Sequence, residues 1–107
     1  MSSLPVQVVV PPSRLDTTTK DHLTQQVKQL ASQQALLVLL DMSKVEFVDS
    51  SGLGAMVAAL KSLRSVGGEL ALCQPSEQVK TLLEITGLER IIKIYPDRQT
   101  FEREYGR

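Results

Sequence analysis

The chain has 107 residues, of which 12 are Lys or Arg and 12 are Asp or Glu, so its formal net charge at pH 7 is zero. This length predicts a single domain over residues 1–107, with one layered core but little room for an elaborate catalytic cleft. The balanced charge argues against direct nucleic-acid binding and against a dedicated binder of anionic membranes.

The N-terminal sequence MSSLPVQVVV lacks the basic region of a signal peptide. No apolar run is long enough to span a bilayer, so we expect no membrane insertion. The single cysteine, Cys73, cannot form an internal disulfide, which suits a reducing compartment. These features together predict a cytoplasmic protein.

The first predicted elements are a strand and a helix. Val6–Val10 is a β-branched run that ends at two prolines, which have no amide hydrogen to donate. The segment LDTTTKDHLTQQVKQLASQQ then predicts a helix. Thr18 and Asp21 have the spacing of a capping box, although Asp16 or Thr17 could also cap. The apolar residues of this helix recur at the spacing of one buried stripe: Leu23, Val27, Leu30 and Ala31.

The middle of the chain predicts a central strand and a second helix. Ala35–Met42 is apolar on both alternating faces, which is typical of a strand covered on both sides. The segment SKVEFVDS predicts a connection with a brief extended piece. The helix that follows is expected to run from Ser50 or Ser51 to Val66, and Gly67 should end it in a left-handed conformation.

The last third of the chain predicts a strand, a helix, a strand and a short helix. Glu69–Cys73 is the first of these strands, and Ser76 and Gly87 bound the helix after it. Arg90–Tyr95 is the final strand, and Asp97 caps the terminal helix. The regular alternation predicts an α/β fold with a small mixed, mostly parallel sheet and about four helices.

The segment EFVDSSGLGAM places an acid, two serines and two glycines where a strand passes into a helix. A serine nucleophile needs a base, and the only histidine, His22, lies on the polar side of the first helix. Gly52 and Gly54 fit neither the Walker loop, which ends in Gly-Lys-Ser/Thr, nor the G-x-G-x-x-G loop of nucleotide-binding proteins. Asp49 would also repel a ligand phosphate. One histidine and one cysteine supply no metal-ligand set. We therefore expect no enzymatic activity, no metal and no cofactor.

A modification site fits this segment better. A phosphoryl group on Ser50 would add about −1.5 to −2 charges. The N-terminus of a helix tolerates negative charge, so the fold would persist while the surface seen by a partner changes. The simpler interpretation is that Asp49 or Ser50 only caps the helix, and capping is compatible with modification.

The helix after this segment is apolar nearly all round in its first turns. The residues predicted to face the sheet are Leu53, Met56, Val57, Leu60 and Leu63. Small side chains are predicted to cover much of the rest, at Gly54, Ala55, Ala58, Ala59 and Ser62. Such a flat face next to a modifiable serine favours a docking surface, whereas alanines are also simply good helix formers. Composition does not decide between these interpretations.

Four ordered segments of the chain resemble the STAS domain, and most closely the bacterial anti-sigma factor antagonists. They are an apolar strand ending in Asp41, then VEFVDSSGLG, GGELALC and LLEITGLERIIKIY. The resemblance covers roughly Ala35–Tyr95, and RLDTTTKDHL matches more loosely. The N-terminus departs from the family, because it has room for about one strand instead of two, and Ser13 and Arg14 stand where a glycine is expected.

The resemblance implies a protein that binds and is modified, and that is not an enzyme. Its unphosphorylated form would bind an anti-sigma factor serine kinase and so release a sigma factor or another regulator. The kinase would then phosphorylate Ser50 and block binding, and a PPM-type phosphatase would reset the switch. The partner-binding residues carried over by position are Asp49, Ser50, Ser51, Gly52, Leu53, Gly54, Ala55 and Ala58.

Two alternatives remain open beside this switch. The first is a STAS scaffold module of a transport or stress-signalling complex without sigma factor control. The second is a domain that binds a small ligand or nucleotide. In the switching role we expect a monomer or a weak dimer.

Overall fold

Six strands, four α-helices and one 3-10 turn make up the described part of the chain. The computed structural model describes residues 6–34 and 37–105. The elements in chain order are β1 (Val6–Val9), β2 (Arg14–Leu15), α1 (Lys20–Ser32), β3 (Leu37–Asp41), β4 (Phe47–Val48), α2 (Ser50–Arg64), β5 (Glu69–Cys73), α3 (Glu77–Thr86), the 3-10 turn (Leu88–Arg90), β6 (Lys93–Tyr95) and α4 (Arg98–Tyr105).

The main sheet has four strands in the order β1-β3-β5-β6. All three of its pairings are parallel, with Leu39 of β3 opposite Val8 of β1 on one side and Ala71 of β5 on the other. The strands β2 and β4 form a separate parallel pair. The predicted α/β fold with a mostly parallel sheet and four helices is confirmed.

The helices divide unequally between the two faces of the main sheet. Side chains of β3 and β5 alternate between the faces, as strand geometry requires. Val38 and Leu40 lie in the larger core cluster together with apolar residues of α1, α2 and α3. Leu37 and Leu39 lie in a smaller cluster with Phe101 of α4. Three helices therefore cover one face, and α4 covers the other.

Aromatic packing and polar contacts hold α4 against the sheet. The rings of Tyr95 and Phe101 meet edge to face, with centroids 5.3 Å apart. Asp97 Oδ1 accepts a hydrogen bond of 2.7 Å from the Thr100 amide, which confirms the predicted cap. Arg98 Nη2 lies 2.6 Å from Asp41 Oδ2 at the end of β3.

The Asp41–Arg98 ion pair predicts a specific dependence of stability on acid pH. Burial raises the pKa of the Asp41 carboxyl, but hydrogen bonds from Ser43 and Arg98 outweigh it, so the pKa lies below its usual value near 4. The charged carboxylate therefore stabilises the fold fully above the unfolded-state pKa of about 4, and this contribution disappears as pH falls through the lower folded-state pKa. At pH 7, Asp41→Asn should lower the free energy of unfolding by about 1 kcal/mol.

Urea unfolding of wild type and Asp41→Asn from pH 7 down to pH 2 measures this contribution. The difference between the two curves should shrink toward zero at the acid end. Glu69→Gln is the matched control, because the Glu69–Arg64 ion pair at 3.3 Å is exposed on both sides and should add little. Parallel pH curves for wild type and Asp41→Asn would contradict the prediction.

The cap of α1 and the number of strands before it differ from the sequence prediction. Thr19, not Thr18, precedes α1, and no side-chain cap bond forms there, so the predicted capping box is wrong. Asp16 Oδ1 instead accepts from the amide of Thr18 at 3.0 Å and builds a turn before the helix. The prediction of a single N-terminal strand is also wrong, because Arg14–Leu15 forms a second strand that pairs with β4.

Several element ends also shift. β1 stops at Val9, one residue before the predicted end, and β6 begins at Lys93. The predicted start of β6 at Arg90 is wrong, because a 3-10 turn follows the left-handed Gly87, whose φ is 76°. Residues 35–36, which were predicted to start β3, lie outside the described residues.

The second helix ends as its glycines predict, although two residues early. α2 stops at Arg64 instead of Val66. Gly67 has a φ of 80°, and the Gly68 amide donates to the Leu63 carbonyl at 2.7 Å. The Gly67 amide donates to the Arg64 carbonyl at 3.1 Å, which completes a Schellman motif. The predicted left-handed conformation of Gly67 is confirmed.

The predicted division of α2 into two faces is partly wrong. Met56, Leu60 and Leu63 are buried as expected, but so are Ala55 and Ala59, which were placed on the outer face. Leu53 and Val57, predicted to face the sheet, are half-buried, but Leu53 still packs against the larger core cluster, so the prediction fails only at Val57. The reason is that α2 packs against α1 as well as against the sheet, so the buried arc extends to small residues beside the apolar stripe.

Candidate docking and modification site

Asp49 starts α2 by capping it. Its backbone is extended, with φ −108° and ψ −171°, and its Oδ1 accepts a hydrogen bond of 3.0 Å from the Gly52 amide. The Leu53 amide donates to the Asp49 carbonyl at 3.0 Å. The predicted cap is therefore Asp49, and Ser50 is the first residue of the helix.

The start of α2 is fixed against the N-terminal part of the chain by the β2–β4 pair. The Asp49 amide donates to the Leu15 carbonyl at 3.2 Å. A Cβ placed on Gly52 would lie only 2.2 Å from that same Leu15 oxygen. Glycine is therefore required at position 52, because any side chain would separate α2 from β2.

The two serines at this helix start have different environments. Ser50 is exposed, and its hydroxyl makes no hydrogen bond to another described residue. Ser51 is half-buried, and its Oγ lies 3.1 Å from Thr17 Oγ1 in a hydrogen bond. Ser50 is thus the hydroxyl that a macromolecular partner can reach first.

The accessible surface of α2 is a narrow strip that begins at Ser50. Residues three or four apart share one side of a helix. We define the outer face of α2 by five residues that are exposed or half-buried: Ser50, Gly54, Val57, Ala58 and Lys61. Lys61 is its one charged side chain, so most of this face is flat and uncharged.

The residues predicted to bind a partner fall into three groups. Ser50, Gly54 and Ala58 belong to the outer face of α2. Asp49, Ser51 and Leu53 are half-buried and lie at its start or borders. Gly52 and Ala55 are buried, so they set the position of the helix instead of touching a partner directly.

Arg14 adds a cationic side chain to the β2–β4 pair. Its guanidinium lies 4.4 Å from the centroid of the Phe47 ring. Its Nε lies 3.2 Å from Asp16 Oδ2. Hydrogen bonding by Thr18 is the main cause that lowers the pKa of Asp16, and Arg14 contributes to the same shift. In the sequence, Arg14 stood out only as part of a departure from the family pattern, because its placement depends on a two-residue strand.

The remaining chemically reactive side chains lie outside this arrangement. His22 is exposed on α1, as expected. Cys73 is buried in β5, and burial is the main cause that raises the pKa of its thiol.

Across residues 6–34 and 37–105, no group of three or more His, Cys, Asp or Glu is placed to hold a metal ion. In the same ranges no helix is both long enough and apolar enough to cross a membrane.

A cavity of about 400 Å³ lies at the far end of α2 from Ser50. Its lining includes Arg64, the last residue of α2, and Leu37 and Glu69, the first residues of β3 and β5. Arg64 Nη2 donates to the Ile91 carbonyl at 3.1 Å, and its Nε contacts Glu69. The Arg64 guanidinium at this cavity is thus engaged in contacts of the fold.

Comparisons with known proteins give one consistent family. The family model for the STAS domain matches residues 4–101. An anti-sigma F factor antagonist from Paenibacillus polymyxa is 34% identical over 82 residues, which cover 76% of this chain and 70% of that protein. The crystal structure of a Thermotoga maritima protein, provisionally titled an anti-sigma factor antagonist, has 34% identity and a TM-score of 0.83. That match covers 94% of this chain and 88% of the other.

A Thermotoga neapolitana protein, provisionally named an anti-sigma factor antagonist, is 53% identical over 58 residues. This match covers 54% of the present chain and 51% of the relative, so it spans about half the length of each protein. The family match and the longer alignments together cover most of the chain, including both the main sheet and α2. The chain belongs to the STAS domain family.

Proposed function

We propose that this protein is an anti-sigma factor antagonist that works as a phosphorylation-controlled binding module. The unphosphorylated form binds an anti-sigma factor serine kinase through the outer face of α2 and so releases a sigma factor or another regulator. The kinase transfers a phosphoryl group to Ser50, and the complex dissociates. A PPM-type phosphatase removes the phosphate. The protein acts as ligand and substrate in the cytoplasm, and not as an enzyme.

The exposure of Ser50 at the start of α2 is the observation that carries this proposal. Ser50 is reachable, its hydroxyl bonds to none of the other described residues, and it begins a flat face with a single charge. The names of the relatives support the same role, because those from Paenibacillus polymyxa and from both Thermotoga species refer to anti-sigma factor antagonists.

Phosphorylation at Ser50 would change the surface without breaking the fold. The first helical residue lies where the helix dipole favours negative charge. The cap bond runs from the Gly52 amide to the Asp49 carboxylate, so it does not involve the Ser50 side chain. The added charge of about −1.5 to −2 falls on an otherwise nearly uncharged face. Burying this charge against an apolar partner surface would carry a desolvation penalty and so weaken binding.

Phosphosite mapping and partner capture from the native cells test the proposal. Wild type should carry phosphate at Ser50 in a fraction of molecules. Ser50→Ala should fold normally, carry no phosphate at this position and retain the kinase constitutively. Ser50→Asp should weaken kinase binding only partly, because one carboxylate has less charge and fewer acceptor oxygens than a phosphate.

Ser65→Ala is the matched control, since Ser65 is exposed at the other end of α2 and should leave both readouts unchanged. Absence of phosphate under all growth conditions, with a stable large assembly captured instead of a kinase, would contradict the switch. That result would favour a constitutive scaffold module.

A further inference from the structure

The sequence offers two adjacent serine hydroxyls at one helix start, and a kinase that reaches one of them comes close to the other. Ser50 and Ser51 have the same chemistry, so a choice between them has to come from their surroundings. One contact distinguishes the two serines in the structure, the 3.1 Å hydrogen bond between Ser51 Oγ and Thr17 Oγ1. Thr17 is 34 residues away in sequence.

Thr17 is held in place by a network in the turn before α1. The Asp16 amide donates to Thr19 Oγ1 at 3.0 Å, and the Thr19 hydroxyl donates to the Arg14 carbonyl at 2.8 Å. Asp16 Oδ1 accepts from both the amide and the hydroxyl of Thr18. Residues on both sides of Thr17 are therefore held by hydrogen bonds, and the Thr17 hydroxyl bonds to Ser51 although the Thr17 side chain is exposed.

The same turn is fixed relative to α2 by the backbone contacts around Leu15. The Asp49 amide donates to the Leu15 carbonyl, and Gly52 packs against that carbonyl without a side chain between them. The fold thus holds the backbone segments that carry Thr17 and Ser51 next to each other, and the two side chains complete the contact.

We infer that Thr17 is a specificity-determining residue, which keeps Ser51 out of the transfer reaction and so makes Ser50 the acceptor; this inference rests on the proposed function. In that reaction the serine Oγ attacks the γ-phosphorus of a nucleoside triphosphate bound to the kinase. An O–P bond forms, the bond from the γ-phosphorus to the bridging oxygen breaks, the diphosphate leaves, and a base of the kinase takes the hydroxyl proton.

Attack by Ser51 competes with its hydrogen bond to Thr17 and with its half-buried position. Ser50 has neither constraint, because it is exposed and its hydroxyl is free of such a bond among the described residues. One hydrogen bond is enough to bias two neighbouring acceptors by several-fold. Thr17 contacts neither the phosphate donor nor the preferred acceptor, so its role is one of selection.

Phosphosite mapping of the full chain from its native cells tests this inference. Thr17→Val removes the hydroxyl but keeps the shape of the side chain, and should raise the share of phosphate on Ser51 by about fivefold. Combined with Ser50→Ala, the same change should make Ser51 the main acceptor, whereas Ser50→Ala alone should leave Ser51 largely unmodified. Thr17→Ser retains the hydroxyl and should give the wild-type pattern.

Thr81→Val is the matched control, because the exposed Thr81 hydroxyl bonds to the Glu77 carbonyl within α3 and takes no part in the network around Thr17. Thr17→Ala repeats the test if the valine variant does not fold, as judged by its thermal unfolding. An unchanged Ser50-only pattern in both Thr17 variants overturns the inference while the proposed function stands. A wild type without phosphate at Ser50 defeats the proposed function, and the inference falls with it.

Discussion

Replacing Gly52 by alanine should destabilise this protein more than any other single-methyl change in α2. The new Cβ would lie 2.2 Å from the Leu15 carbonyl oxygen and 2.8 Å from the Leu15 carbonyl carbon, and both are backbone atoms that cannot turn aside. Either α2 or β2 has to move, which breaks the β2–β4 pair. We expect a loss of about 3 kcal/mol or more in the free energy of unfolding, a large share of the total for a domain of this size.

Gly54→Ala supplies the matched control for this change. It adds the same methyl group two residues further along the same helix, where a Cβ meets nothing within 4 Å. It should stabilise the protein by about 0.5–1 kcal/mol, because alanine is a better helix former than glycine. Thermal unfolding of both variants gives the comparison, and equal melting temperatures for Gly52→Ala and wild type would contradict the close contact.

Leu60→Ala should be a strongly damaging large-to-small change on the buried side of α2. Leu60 is 3% exposed and lies in the larger core cluster between α2 and the sheet. Its truncation removes apolar contacts and leaves a cavity, which should lower the free energy of unfolding by about 2–5 kcal/mol. Urea unfolding measures this loss as a lower midpoint with an unchanged slope.

Val57→Ala tests the other side of the same helix. Val57 is half-buried on the outer face of α2, where the surroundings can relax, so the loss should stay below about 1 kcal/mol. Similar losses for Leu60→Ala and Val57→Ala would show that the buried arc of α2 is assigned to the wrong residues.

Much of the fold was predictable because its signals are local. The alternation of strands and helices follows from apolar periodicity, and no distant contact is needed to recognise it. The caps at Asp49, Ser76 and Asp97 are likewise local, since each side chain accepts from an amide three residues ahead. Gly67 was predictable for the same reason, because a left-handed helix end strongly favours glycine.

The errors arise where the outcome depends on distant parts of the chain. A two-residue strand such as Arg14–Leu15 is too short for an alternating pattern, and only its pairing with β4 defines it. An alanine in a helix is compatible with either a buried or an exposed position, so the sequence did not predict the burial of Ala55 and Ala59. The sequence motif located the candidate site, but the difference between Ser50 and Ser51 arises from a contact with the turn before α1.

The position of α4 has a practical consequence for building reporters from this domain. Tyr105, the last described residue, packs into the cluster on the side of the sheet opposite α1, α2 and α3. A fluorophore attached to an exposed residue of α4, such as Glu102, would therefore lie on the opposite side of the sheet from the outer face of α2. A reporter on α4 would thus leave the proposed docking face on α2 unobstructed, so partner binding could be followed without a label at that face.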